Sequence, residues 1–206
     1  MLTIHFIRHA QSTSNIKPDI VGGQQLNIEL TETGRKQARK LQQLLQQKAI
    51  QPHHIICSTA TRARETAKIA TSHLDTEIVF DKRIVEMSRG EWEGKPKSEV
   101  YVGEYKKLRE QESLDLKAPG GEDIHEVIER NKKALEDIEK LFEPGVNKHV
   151  FWFGHGRAIK SLIGELLGNK ELAYKSAKHN TARSVFVYDG KHYRMHHFND
   201  VRHLHI

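Results

Sequence analysis

Apolar, β-branched runs at 2–7, 54–58, 76–80, 148–153, 183–188 and 192–197 predict six short strands, several of which end at Gly, Ser or Asp. Between them the spacing turns helical. Residues 31–49 start at Thr31, carry Glu32 in the first turn, and set Ala38, Leu41, Leu44 and Leu45 at helical intervals. Residues 60–74, 122–142 and 156–168 also read as helices. Apolar strands that alternate with helices imply an α/β fold. The expected form is a three-layer sandwich, with a mostly parallel central sheet and helices on both faces. The stretch 92–121 breaks the rhythm. It is polar, carries Pro96, Gly103 and Pro119, and has only a weak helical pattern around 99–111. It predicts a lid-like excursion over one edge of the sheet, within a single domain spanning 1–206.

Composition adds a charge preference. The net charge of +6 favours anionic partners. The Lys and Arg residues are scattered, without a dense basic block, which argues against a nucleic-acid partner. No apolar stretch approaches the roughly 18 residues that span a bilayer, so no membrane partner is expected. Met1 to His5 lack the basic region and apolar core of a secretion signal. Cys57 is the single cysteine, so no internal disulfide can form and a cytoplasmic location is expected. Within "HHIICST" it reads as a small core residue. Of fourteen histidines, five fall between His192 and His205, but their spacing matches no zinc set. That tail reads as a solvated strand, and neither metal nor cofactor is expected. The pattern does not select an oligomeric state; a homodimer is compatible with it.

Ligands of open α/β sheets bind at the carboxyl ends of the strands. The first strand is followed by Arg8, His9 and Asn15, and the second by Ser58 and Arg62. The third leads to Glu86, and the run "HVFWF" leads to Gly154-His155-Gly156. Two arginines and a histidine can clamp a phosphate, because guanidinium forks match its oxygens. A neutral imidazole can attack phosphorus if its other nitrogen donates to a carbonyl. A carboxylic acid with a raised pKa can protonate the departing alkoxide. The helix after Gly156 adds its positive end. Phosphoryl transfer needs chiefly positioning and charge stabilisation. Taken singly, each feature has a bland alternative: a surface pair, a solvated helix face, a loop acid, a tight turn. Their recurrence at four strand ends makes the bland reading the poor one.

Six segments carry a resemblance to a known family. They read "RHAQSTSN", "LTETGRKQA", "STATRARETA", "EMSRGEWEGK", "PGGEDIHEVIER" and "FWFGHGRAI", in that order between residue 4 and about 160, with "NTARSVFVYDG" closing. In type, order and spacing they resemble the histidine phosphatase superfamily, in its phosphoglycerate mutase-like branch. The resemblance implies that His9 is the phosphorylated nucleophile. It implies that Arg8, Arg62 and His155 bind the transferred phosphoryl group, and that Asn15, Ser12 and Gln11 of the first motif contact phosphate or substrate. Glu86 would be the proton donor, and later the activator of water. Gly156 would permit close approach beside His155.

One position departs from the family pattern. The glycine after the nucleophile is Ala10, whose methyl could crowd the phosphate or disfavour a glycine-type backbone angle. The segment after Glu86 follows the shorter, phosphatase-type pattern and lacks the basic insertion of the mutases. The expected function is therefore a metal-independent phosphomonoesterase that acts through a phosphohistidine on a small phosphorylated metabolite. The alternatives are mutase-type phosphoryl transfer, with Arg89, Lys95 and Lys97 as second-site candidates, and a non-catalytic module that binds a phospho-ligand. Specificity is expected from 20–27 and from 92–121, which offers Trp92, Tyr101, Tyr105, Lys106, Lys107 and Arg109.

Overall fold

Six strands form one sheet: β1 (Leu2–Arg8), β2 (His54–Ser58), β3 (Ile78–Asp81), β4 (Lys148–Gly154), β5 (Arg183–Tyr188) and β6 (Tyr193–Asp200). The structure is a computed structural model that describes residues 1–177 and 179–205, without the side chains of 173 and 174. The strand order is β3-β2-β4-β1-β5-β6. Pairings β1–β4, β2–β4 and β2–β3 are parallel, whereas β5 runs antiparallel to both β1 and β6. Only β5 opposes the common direction, and the mostly parallel sheet is the expected one.

Strand alternation sorts side chains into two layers. Ile4, Phe6, Val150 and Trp152 face helices α5 (Ile124–Glu139) and α6 (Gly156–Leu166), through Leu135, Ile138, Ile159 and Leu162. Their neighbours Ile7, Ile55, Cys57, Phe151 and Phe153 face α1 (Glu32–Gln47) and α2 (Thr61–Ala70), through Leu41, Leu45, Ala63 and Ala67. This explains why the strands read as continuous apolar runs. Cys57 is a fully buried core residue, as expected.

The helices follow their capping chemistry. Thr31 Oγ1 accepts the Gly34 amide at 3.0 Å and opens α1. Position 34 needs glycine, because a Cβ there would stand 2.0 Å from the Gln11 carbonyl oxygen. Asp123 and Glu126 form a reciprocal capping box at the start of α5. Several helices end earlier than their periodicity predicts. After α2, Thr71 bonds its hydroxyl back to the Ala67 carbonyl and the chain passes into turns. After α5, the amides of Leu141 and Phe142 bond three residues back, which tightens the last turn.

The 92–121 excursion holds two short helices, α3 (Lys97–Val100) and α4 (Gly103–Glu110), and its own apolar cluster of Val21, Trp92, Val100, Leu116 and Ala118. Backbone bonds tie it to another loop: Val21 N to Lys95 O, Gly94 N to Val21 O, and Lys97 N to Asp19 O. Its Lys97, Tyr101 and Arg109 line one cavity with Arg8 and His9, at the end of β1, so it stands beside the carboxyl ends of the strands. The histidine-rich tail forms β6, whose residues 194–197 are exposed. No helix among the described residues is long and apolar enough to cross a membrane.

Candidate active site

The parallel pairing of β1 with β4 sets Arg8 opposite Gly154. The residues that follow each strand are therefore neighbours. His9 N donates to the Gly154 carbonyl at 2.9 Å, and the His9 and His155 ring centroids lie 5.2 Å apart. His9 Nδ1 is 2.7 Å from the Ala10 carbonyl oxygen. A carbonyl only accepts, so Nδ1 carries the proton and Nε2 keeps its lone pair. Burial holds His9 well below the usual histidine pKa. Arg8, Arg62 and His155 push it the same way, against the opposing pull of the Ala10 carbonyl. The ring is neutral near pH 7, the form that can attack phosphorus.

Ala10 causes neither of the problems its methyl raises. Its φ is not among the positive values, its side chain packs in a buried cluster with Leu30 and Ala38, and it does not line the cavity. Its amide donates to Thr66 Oγ1 at 2.9 Å.

The two arginines arrive from different elements. Arg8 ends β1, and burial lowers its pKa to about 10, with Glu86 raising it and Arg62 lowering it. Arg62 lies in the first turn of α2 and is 3% exposed. Its Nη1 donates to the carbonyls of Gln24 and Gln25, and its Nη2 to that of Gly23. Burial lowers its pKa, opposed by Glu86 and Glu93. A Cβ at Gly156 would stand 3.1 Å from Arg8 Nε, so the glycine makes room for this arginine.

Glu86 sits on the N-terminus of α6. Its Oε1 accepts from Met87 N at 2.9 Å and from Ala158 N at 3.1 Å, and its Oε2 from Arg157 N at 3.1 Å. Arg130 of α5 fixes the backbone there, donating to the carbonyls of Arg83, Val85 and Glu86 while pairing with Glu122 at 2.7 Å. This gives "PGGEDIHEVIER" its place: the segment builds the support under Glu86.

His155 is fully buried, with Nε2 2.8 Å from Ser58 Oγ. It lies behind His9 and is not among the residues lining the cavity. Its Nδ1 has no hydrogen-bond partner among the described residues. Burial, Arg62 and Arg8 hold its pKa well below the usual range. Asn15 lines the cavity, with its Oδ1 accepting from Ser12 N and from Asn180 Nδ2. Gln11 and Ser12 are not brought to the cavity, contrary to expectation. Gln11 Oε1 accepts from Thr31 Oγ1, and the Ser12 hydroxyl, fully buried, turns to Ser14 and Asn15. Both brace the turn that carries Asn15.

The cavity measures about 400 Å³. Its cationic lining is Arg8, Lys17, Arg62, Arg89, Lys97, Arg109 and Arg157, and Glu86 is the one carboxylate among the lining residues. Residues 20–23 and Tyr101 complete the rim, with the Arg109 guanidinium 4.3 Å from the centroid of the Tyr101 ring. Lys95, Tyr105, Lys106 and Lys107 do not line it, and Trp92 belongs to the excursion's apolar cluster. Among the described residues, no group of three or more His, Cys, Asp or Glu side chains could hold a metal ion. The sequence reading gave no role to Thr66, Asn180, Glu122 or Arg130. All four lie inside quoted segments, Thr66 in "STATRARETA", Asn180 in "NTARSVFVYDG", and Glu122 and Arg130 in "PGGEDIHEVIER", so each had a signal but no assigned role.

A buried neutral histidine, two arginines and a helix-capped carboxylate at the ends of a parallel sheet are groups that phosphoryl transfer can use. The chain belongs to the histidine phosphatase superfamily, branch 1, whose family model matches residues 4–201. A "Probable phosphoglycerate mutase GpmB" of Photorhabdus laumondii is 33% identical over 172 residues, covering 82% of this chain and 76% of that protein. Among solved structures, Bacillus stearothermophilus YhfR superposes with a TM-score of 0.86 at 26% identity, covering 99% of this chain and 100% of that one. A phosphoserine phosphatase mutant from Entamoeba histolytica, in complex with phosphoserine, gives 0.82 at 27% identity, with 99% and 100% coverage.

Proposed function

We propose that the chain is a phosphomonoesterase that works through a phosphohistidine at His9, without a metal. Its substrate is a small phosphorylated metabolite with a second anionic group. The observation that carries this reading is the neutral, buried His9, its tautomer held by the Ala10 carbonyl beside Arg8, Arg62 and Glu86. In the first step Nε2 attacks phosphorus, the P–O bond to the alcohol breaks, and the leaving alkoxide takes a proton from Glu86. In the second, Glu86 accepts a proton from water, the resulting hydroxide displaces His9 from phosphorus, and inorganic phosphate departs. Arg8 and Arg62 offset the charge on the phosphoryl oxygens. Asn15 contacts these oxygens, and His155 packs behind the His9 ring.

The rim supports the second anion. Among the described residues, none of Lys17, Arg89, Lys97 and Arg109 is ion-paired. A substrate carrying a carboxylate or a further phosphate would neutralise them. The phosphoserine phosphatase relative is named for a substrate of this kind. The relatives named as phosphoglycerate mutases favour a second reading, transfer to another substrate hydroxyl rather than to water.

The test is a metal-free panel in the presence of a chelator. Phosphoserine and 3-phosphoglycerate should release phosphate with kcat/KM well above that of ethyl phosphate, whose remainder is uncharged. No hydrolysis of any ester refutes the phosphatase reading. Isomerisation of 3-phosphoglycerate faster than its hydrolysis, with bisphosphoglycerate as primer, supports the mutase.

A further inference from the structure

The residue before Ala182 and β5 has an unfavourable backbone. Thr181 has φ of +55°, in the left-handed region, and is fully buried. A β-branched residue there is a genuine outlier, and it persists only where its surroundings over-determine it. Two kinds of contact do so. Its amide donates to the His9 carbonyl at 3.3 Å. Its hydroxyl bonds to the Asn180 carbonyl at 2.7 Å and lies 2.9 Å from His203 Nε2.

The proton count assigns each partner. The single hydroxyl proton goes to the Asn180 carbonyl, which cannot donate. His203 Nε2 must therefore carry a proton and donate to Thr181 Oγ1. His203 is 2% exposed and sits in the helical turn Arg202–His205 at the C-terminal end of the described chain. Lys40 of α1 donates to the Leu204 carbonyl at 3.0 Å, and Asp200 accepts the Arg202 amide, so the turn is held at both ends.

The left-handed turn at Thr181 brings Asn180 back onto the nucleophile. Asn180 Nδ2 donates to the His9 carbonyl at 3.1 Å and to Asn15 Oδ1 at 3.0 Å. One side-chain amide thereby ties the backbone of the proposed nucleophile to the side chain of a proposed phosphate contact.

We infer that His203 is a positioning residue: through Thr181 it sets Asn180, which holds His9 and Asn15 in register. The inference rests on the assignment of His9 as nucleophile. It makes the C-terminal turn part of the site, although none of its residues lines the cavity.

The test uses the full chain and its best phosphate ester. His203→Ala should lower kcat about 10- to 100-fold, as expected when a reacting group is misplaced by about 1 Å, with KM moving less than about threefold. His203→Gln, whose amide can still donate to Thr181 Oγ1, should recover most of the loss. Asn180→Ala should match His203→Ala, and the double variant should be no slower than the slower single one, because both act through one chain of contacts. If His203→Ala does not fold, Thr181→Val, which removes the hydroxyl that His203 meets, takes its place, alone and combined with Asn180→Ala. Losses that multiply in the double variant, losses carried by KM, or a His203→Ala enzyme with full kcat would overturn the inference. A wild-type chain that hydrolyses no ester overturns the underlying assignment instead, so the two failures are distinguishable.

Discussion

Replacing Glu86 by glutamine changes one oxygen for an amide group and removes the transferable proton. The structure sets what the change costs. Glutamine offers a single carbonyl, which can keep the bonds from Met87 N and Ala158 N now made to Oε1. Its NH2 group then faces the Arg157 amide, donor against donor, and that bond is lost. An unmade bond to a partly buried amide costs about 1–3 kcal/mol, reduced here because Glu86 is partly exposed. The fold should survive with a modest loss. The chemical loss is larger. Positioned acid catalysis is worth about 100- to 10,000-fold, or about 3–5 kcal/mol. That applies where the leaving group is a strongly basic alkoxide. A nitrophenolate needs little help, so its loss should stay below about tenfold. The assay is kcat/KM in chelator, by phosphate release for an alkyl ester and by absorbance for nitrophenyl phosphate. It must be kcat/KM, because this ratio reports the first phosphoryl transfer. Turnover alone would mix in the hydrolysis of phosphohistidine, where Glu86 serves both esters alike. Equal losses in kcat/KM on the two esters would refute the role of Glu86 as acid.

Two further predictions concern the fold. Ala10→Gly should destabilise the protein by about 1.5 kcal/mol, from the lost methyl burial beside Leu30 and Ala38 and the added freedom of the unfolded chain; an unchanged urea midpoint would contradict the packing described. Burial lowers His5 to about 3 and His203 to about 4, so both stay neutral in the fold while the unfolded chain takes up protons below about 6.5. Their stabilising contribution is therefore complete above about pH 6.5 and falls by about 1.4 kcal/mol per histidine per pH unit below it. Unfolding free energy should drop by about 3 kcal/mol between pH 7.5 and 5.5 from these two alone, with His9 and His155 acting in the same direction; a flat profile would show that they titrate normally.

Much of the site was legible because its chemistry sits where strand patterns end. Ile4 and Phe6 alternate with His5 and Ile7 on opposite faces of β1, so the apolar run had to be a central strand, and Arg8-His9 its carboxyl end. The same logic places Arg62 and Glu86 at the cavity and His155 beside the His9 ring but off the cavity. Gln11 and Ser12 stand off the cavity, because proximity in sequence does not set side-chain direction. The turn carries them toward Thr31 and Asn15 instead of the cavity. Thr66 and Asn180 stand inside the quoted segments "STATRARETA" and "NTARSVFVYDG", but their roles are not legible there. Thr66 meets the Ala10 amide 56 positions away, and Asn180 meets the His9 carbonyl 171 positions away. No periodicity encodes such contacts. Thr181 was hidden further, since a β-branched residue is a poor sign of a left-handed turn. The excursion was visible as an irregularity, but its docking on residues 19–21 depends on backbone bonds that leave no trace in composition.

The central claim is that His9 carries the phosphoryl group between two half-reactions. Rapid quench of the wild-type chain with a phosphate-labelled ester, followed by peptide mapping, tests it directly. The account predicts an acid-labile, base-stable label on His9 that forms within one turnover, decays as phosphate appears, and is absent in His9→Ala. A label on another residue, or turnover in His9→Ala at the wild-type rate, would contradict it.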